Sequence, residues 1–205
     1  AGDASNFLFE IRKSALGKLW LEPSMSKKGV WVFDIKTEQF TKYQTIPNDS
    51  SSLNGSDVTD IYRDKLGDIW ISADMGGLNR YQPTSDNFRR YLGNSTILAM
   101  HEDSQDRFWV GTAQEGLFLL DKETGNSINY TEKDGLIYDR ILDIQEDDFG
   151  FLWLTTIRGI SKFDPQAEKF ENFDEKDGLI VNNDFQKSYK DKKIFLAISG
   201  SIAAY

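Results

Sequence analysis

The sequence predicts an all-β protein, a β-propeller built from four-stranded antiparallel blades, and three observations carry that prediction. One phrase recurs through the 205 residues: DKLGDIWI from Asp64, DSQDRFWV from Asp103, DDFGFLWL from Asp147, and a weaker copy from Lys13 to Leu21. The tryptophans of these copies, Trp20, Trp70, Trp109 and Trp153, stand 50, 39 and 44 residues apart. Such a period belongs either to propeller blades or to paired helices. The third observation decides between them. The apolar runs are short, rich in aromatic and β-branched residues and bounded by Gly, Pro and Asp, and no window keeps a helical spacing for about a dozen residues.

The unit from Asp139 to Phe173 shows each element in order. Ile141–Asp147 reads as a first strand and Phe151–Thr156 as a second, with Asp148–Gly150 turning between them. Gly159–Asp164 and Lys169–Phe173 supply the third and fourth, joined by Pro165–Glu168. The same order fits approximate blades at residues 7–45, 57–92, 96–131 and 140–174. A fading fifth at 183–205 puts Phe195 in the tryptophan slot, 42 residues beyond Trp153. A blade is a small sheet that cannot bury both faces alone. Trp20, Trp70, Trp109, Trp153 and Phe195 are therefore expected to fill the spaces between blades, where large rings bury the most apolar area. Gly67 and Gly150 suit tight turns between first and second strands, and Gly77, Gly116 and Gly159 suit the next turn. Four blades and part of a fifth are few for a closed ring, so the chain is expected to be part of a larger propeller. An open array leaves bare strand edges, which a second copy in a homodimer would cover.

Composition narrows the partners. The chain carries 33 acidic against 24 basic residues, a net charge of −9. The excess is spread over turns, as in Glu146–Asp148 and Asp174–Asp177, and without a basic face nucleic acid is not an expected partner. There is no cysteine, hence no disulfide and no thiolate metal site. No run reaches the length of a membrane span, so contact with a membrane is expected only through segments outside this chain.

Laid out in this way, the unit resembles the two-component regulator propeller repeat. Ile141–Asp147 with FLWLTT from Phe151 follows its strand-turn-strand pattern closely, and Ile97–Asp103 with FWVGT from Phe108 nearly as well. The Asp-Gly-Leu linker of that family stands twice, at Asp134–Leu136 and Asp177–Leu179, and the segment from Asn183 to Tyr205 is similar to its terminal blade. Leu21–Ser26, Ser72-Ala73 and Ser199–Ile202 depart from the Gly-Thr and Gly-rich steps, which unsettles blade boundaries at those places. The resemblance implies a periplasmic sensor region of a membrane-bound histidine kinase, hybrid kinase or cyclic-dinucleotide synthase, with glycan fragments as typical signals.

Chemistry is sparse. His101 is a lone histidine, without the second histidine or cysteine that zinc needs or a triad partner. Carboxylate pairs such as Glu102-Asp103 and Glu146-Asp147 could serve a glycosidase or lyase, but they recur at one turn in successive blades, which marks them as turn chemistry. No catalytic residue, metal or cofactor is expected. Binding is the expected activity, on loops held by the scaffold. The candidates are Asp74, Gln114, Glu115 and Arg158 between second and third strands, and Tyr138 and Arg140 between blades. Tyr138 could stack on a sugar ring, and Arg140 and Arg158 could hold a carboxylate or sulfate. The expected partner is a small polar or oligosaccharide ligand. A protein-docking propeller and a propeller glycosidase or lyase are the alternatives.

Overall fold

A computed structural model describes residues 9–23, 29–55 and 57–179. They form four sheets, each a meander of four antiparallel strands in sequence order. The first is β1 (Phe9–Ala15), β2 (Lys18–Pro23), β3 (Val30–Asp34) and β4 (Gln39–Tyr43). The second is β5 (Val58–Arg63), β6 (Ile69–Ala73), β7 (Gly77–Gln82) and β8 (Asn87–Tyr91). The third is β9 (Ile97–Glu102), β10 (Phe108–Thr112), β11 (Leu117–Leu120) and β12 (Ser127–Tyr130), and the fourth is β13 (Ile141–Glu146), β14 (Leu152–Thr156), β15 (Gly159–Asp164) and β16 (Lys169–Phe173). Short 3-10 turns at Glu132–Asp134 and Glu175–Asp177 follow the third and fourth blades. The expected fifth blade and Phe195 lie outside the described residues.

The first strands of successive blades lie side by side, and three apolar layers fill the seams between sheets. Strand alternation assigns the sides. Trp20 packs forward on Ile69, Ile71 and Tyr81 of the second blade. Trp70 packs forward on Ile97, Phe108 and Val110 of the third, and Trp109 on Ile144, Leu152 and Phe163 of the fourth. The residues flanking each tryptophan point back into the preceding seam, which is why β6 and β10 are buried along their whole length. Trp153 occupies the equivalent slot on the far face of the fourth blade. It is half-buried there, stacked on Phe173 of its own sheet with rings 5.7 Å apart.

The glycine that opens each third strand has a steric cause beyond its turn. A Cβ on Gly29, Gly77, Gly116 or Gly159 would collide with the carbonyl oxygen of Tyr43, Tyr91, Tyr130 or Phe173, which closes the fourth strand of the same blade. Only glycine lets the backbones approach this closely.

The recurring turn carboxylates brace the blades. The indole N–H of Trp70 donates to Asp64 at 3.0 Å, that of Trp109 to Asp103 at 2.7 Å, and that of Trp153 to Asp147 at 2.8 Å. Burial pushes the Asp103 carboxyl up, but the indole, the Arg107 backbone N–H and the Arg107 guanidinium together hold it below its ordinary 3.8. The glutamate before it clamps the preceding blade. Glu102 accepts from the Lys65 N–H at 2.6 Å, and Glu146 from the Ser104 N–H and hydroxyl at 2.7 and 2.6 Å. Lys122 completes the seam between the second and third blades, 3.0 Å from Asp64 and 2.6 Å from Glu102.

Candidate functional site on the linker face

One end of the sheets gathers the turns between second and third strands with the linkers from blade to blade. Backbone hydrogen bonds fix them together. Asp74 N–H donates to the Asp57 carbonyl at 2.7 Å and Ala113 N–H to the Thr96 carbonyl at 2.9 Å. Gly77 N–H reaches the Ser95 carbonyl and Gly116 N–H the Asp139 carbonyl, both at 2.9 Å. Each linker is also pinned to the blade it enters. Asn79, fully buried, accepts from the Asn54 N–H at 2.8 Å and returns a bond to the Asn54 carbonyl at 3.2 Å. In the fourth blade Ser161 accepts from the Ile137 N–H at 3.1 Å, and Asn172 donates to the Gly135 carbonyl at 2.8 Å.

Asp74, Gln114 and Glu115 border an open depression of about 510 Å³ between the second and third blades, lined by Met75, Leu92, Asn94, Ser95, Thr96, Gln114, Glu115 and Phe118 among others. Asp74 accepts from the Thr96 hydroxyl at 2.7 Å, which in turn accepts from the Met75 N–H at 3.1 Å, and Glu115 accepts from the Ser95 hydroxyl. These carboxylates therefore hold their own loops, while Gln114 is the exposed amide left on the wall. Met75 and Leu92 have φ of 51° and 54°, a left-handed conformation that side chains larger than glycine adopt at a cost. Such strain persists where surrounding contacts enforce it, and it clusters at binding sites.

Tyr138 and Arg158 meet on the other side of the Gly116–Asp139 bond, between the third and fourth blades. The Arg158 guanidinium lies 4.1 Å from the centre of the Tyr138 ring, so one face of that ring is already covered. Its nearest carboxylate is Glu132, 3.6 Å away on the 3-10 turn of the linker. That turn is closed by a capping box in which Thr131 and Asp134 bond reciprocally, and Asp139 accepts from the Glu132 N–H at 2.7 Å. Ile141 stands opposite Thr156 in the β13–β14 ladder. Arg140, one step further out, thus sits beside the turn that carries Arg158.

The six candidates accordingly form two neighbouring clusters on one face, not one pocket. Glu132, Asn94 and Phe118 were not among them. Glu132 sits in a linker beside the Asp-Gly-Leu step, where its acidic surroundings read as solubilising. His101 lies away from this face, towards the end of β9. Its Nε2 is buried without a hydrogen-bond partner among the described residues, 3.9 Å from Glu146, and burial holds its pKa below 6.5. A second depression of about 560 Å³ lies at the opposite end, by Leu66, Phe108 and Ile128; its charged members Lys122, Glu123, Asp106 and Arg107 are already in ion pairs, and Asp121 accepts from the Glu123 and Thr124 N–H groups.

The repeat signature described as "Two component regulator propeller" matches residues 52–74 and 91–114, in each case a linker with the first two strands of a blade. Histidine kinase P4 of Formosa agariphila is 28% identical over 160 residues, 73% of this chain and 12% of the kinase. The extracellular domain assigned to a one component system of B. thetaiotaomicron superposes with a TM-score of 0.69 at 21% identity, over 87% of this chain and 26% of that domain. One assigned to a hybrid two component system of the same organism superposes with a TM-score of 0.63 at 25% identity, over 84% and 23%. The chain thus spans about an eighth of the kinase and about a quarter of each solved domain.

Proposed function

We propose, for a chain that carries two-component regulator propeller repeats, that it is a non-catalytic, ligand-binding part of the periplasmic sensor region of a transmembrane signalling protein. Its ligand is a small polar molecule of the glycan-fragment class, taken up on the linker face. The observation that carries this reading is the linker face itself. Polar and aromatic side chains that do not recur from blade to blade stand there on turns pinned by backbone bonds, which is what preorganised recognition needs. The kinase likeness supports a signalling output, and the likeness to extracellular domains supports the side of the membrane. Among the described residues no helix is long and apolar enough to cross a membrane. The carboxylates that could have served a hydrolase are committed to indoles and backbone N–H groups, which favours binding over turnover.

Calorimetric titration of the purified chain with a panel of neutral and acidic oligosaccharides tests the reading. Saturable binding that is lost on Gln114→Ala or Arg158→Gln, without release of new reducing ends, is the expected result. Reducing-end release would replace it with the hydrolase reading. Capture of a defined protein partner with no sugar bound would replace it with the docking reading.

A further inference from the structure

We propose that Arg140 and Arg158, with Tyr138 beneath, form an anion subsite that takes a carboxylate or sulfate group of the sensed ligand, displacing Glu132 from Arg158. The proposal rests on the sensor reading above and adds the charge class of the ligand to it.

Among the described residues the other half-buried arginines, and Lys122, are committed. Arg80 is held by Asp68 at 2.6 Å and Glu123 at 2.9 Å, Arg107 by Asp103 at 2.6 Å, and Lys122 by two carboxylates. Arg90 is taken up by the Ser52 and Asp49 carbonyls at 2.9 and 2.7 Å. Arg140 differs. It is half-buried, yet makes no hydrogen bond, ion pair or ring contact with any described residue. Arg158 is aimed but unsatisfied. Its guanidinium lies over the Tyr138 ring, while Glu132 stays at 3.6 Å, beyond hydrogen-bond length, with both side chains about half exposed.

Among the described residues, neither arginine of this linker face has a hydrogen-bonded carboxylate, although Glu132, Asp134 and Asp139 stand on the same linker. Register places Arg140 beside the turn that carries Arg158, and an anion taken up between the two guanidinium groups would accept paired N–H bonds from both. A carboxylate is planar and a sulfate tetrahedral, and the guanidinium fork matches either. Glu132 is the built-in competitor. It lies on the 3-10 turn that links the third blade to the fourth, so an incoming anion that replaces it exchanges an interaction inside the linker for one with the ligand. Binding is thereby coupled to the seam between two blades.

The test is a titration of the ¹⁵N-labelled chain with sodium D-glucuronate and with sodium sulfate, with methyl glucoside as the uncharged control. The arginine Nε–H resonances report the site. Both anions are expected to shift the Arg140 and Arg158 resonances saturably, with binding that weakens as ionic strength rises. Arg140→Gln and Arg158→Gln should each lower the affinity by about tenfold or more, as loss of a charge-assisted pair does, with the rest of the spectrum unchanged. Glu132→Gln, which removes only the competitor, should raise it several-fold. Anions that leave both resonances unmoved up to about 50 mM, a concentration that would reveal millimolar binding, overturn the subsite. So does equal binding by the Arg140→Gln/Arg158→Gln double variant. If methyl glucoside or a neutral oligosaccharide then binds at the Met75–Gln114 depression, the sensor reading stands and only the anion subsite falls. If nothing on the panel binds either cluster, both fall.

Discussion

Replacing Asp103 by alanine should cost several times the stability lost at the equivalent Asp147, and the structure gives the size. The carboxylate is fully buried and accepts four hydrogen bonds. Oδ1 takes the N–H groups of Gln105 and Arg107 at 2.9 Å each, and Oδ2 takes Arg107 Nε at 2.6 Å and Trp109 Nε1 at 2.7 Å. In the alanine variant the turn N–H groups and Arg107 can reach water, but the indole N–H of Trp109, 1% exposed, cannot. An orphaned buried donor costs about 1–3 kcal/mol and the lost charge-assisted bonds about 1–2 more, so Asp103→Ala is expected to lose about 3–4 kcal/mol. Asp147 is the internal control. It accepts from Phe149, Phe151 and Trp153 at 2.9, 3.0 and 2.8 Å, but Trp153 is half-buried and water can replace the carboxylate. Asp147→Ala should therefore cost only about 1 kcal/mol. Urea denaturation followed by tryptophan fluorescence at pH 7 measures both. In the Asp103→Ala background, Trp109→Phe removes the stranded donor, so the double-mutant cycle should show coupling of about 1 kcal/mol or more. Equal losses for the two alanine variants, or a cycle that closes to zero, would refute the reasoning. The pH dependence has a fixed sign. The folded pKa of Asp103 lies below its ordinary value, so its contribution is complete above about pH 4 and is lost as pH falls further, a loss absent in Asp103→Asn.

Three further outcomes are expected. The first blade turns with two residues where the others use three, so register places Ala15 opposite Lys18 at the position of Asp64 opposite Asp68, and Trp20 Nε1 is buried without a hydrogen-bond partner among the described residues; Ala15→Asp should raise the urea midpoint by an amount worth about 1 kcal/mol. Lys122→Met strands Asp64 and Glu102 in the seam between the second and third blades and should lower stability by about 3 kcal/mol in the same assay, whereas a triple change that also makes both acids amides should recover part of it. His101 faces Glu146, Asp103 and Asp143, with Lys65 as the nearby cation, and burial keeps its folded pKa below 6.5. Stability should fall as pH drops from about 6.5 towards 5.5, because the unfolded chain then binds the extra proton, and His101→Gln should flatten that interval; parallel curves for the two proteins would remove His101 from the account.

Most of the architecture was legible because it repeats. Trp70 and Trp109 announce forward-facing side chains, and Ile69 and Phe108 backward-facing ones, since strand alternation leaves no other arrangement between two sheets. The turn carboxylates read as scaffold, and Asp64, Asp103 and Asp147 are scaffold, although their grip on the tryptophan indole six residues on was not read from the pattern. The i, i+6 recurrence of Asp and Trp was the available signal. The Glu102 and Glu146 clamps escaped because their partners are backbone N–H groups of another blade, about forty residues away, which carry no sequence signature of their own. The missing partner of Trp20 escaped for a related reason. Ser14 and Ala15 both stand near the equivalent position, and only the two-residue turn decides that register brings Ala15 there.

The linker face divides along the same line. Residues such as Gly77 and Gly116 recur because each must admit a carbonyl of the neighbouring strand, and that constraint is identical in every blade. Arg140 has no such constraint: Thr96 stands in its place before β9 and Asp57 before β5, both with carbonyls bonded to the following turn. Departures from a repeat at pinned backbone positions change side-chain chemistry without changing the fold, so they are where a repeating scaffold can acquire specificity. The two seams that meet this face are also braced differently at their far ends. Between the second and third blades, Lys122 joins two carboxylates and Arg80 reaches across to Glu123. Between the third and fourth, Glu146 holds Ser104 and Tyr130 reaches Glu168 at 3.0 Å, but the His101 Nε2 finds no hydrogen-bond partner among the described residues. The proposed exchange of a ligand with Glu132 would act at the seam that has fewer side-chain hydrogen bonds across it among the described residues.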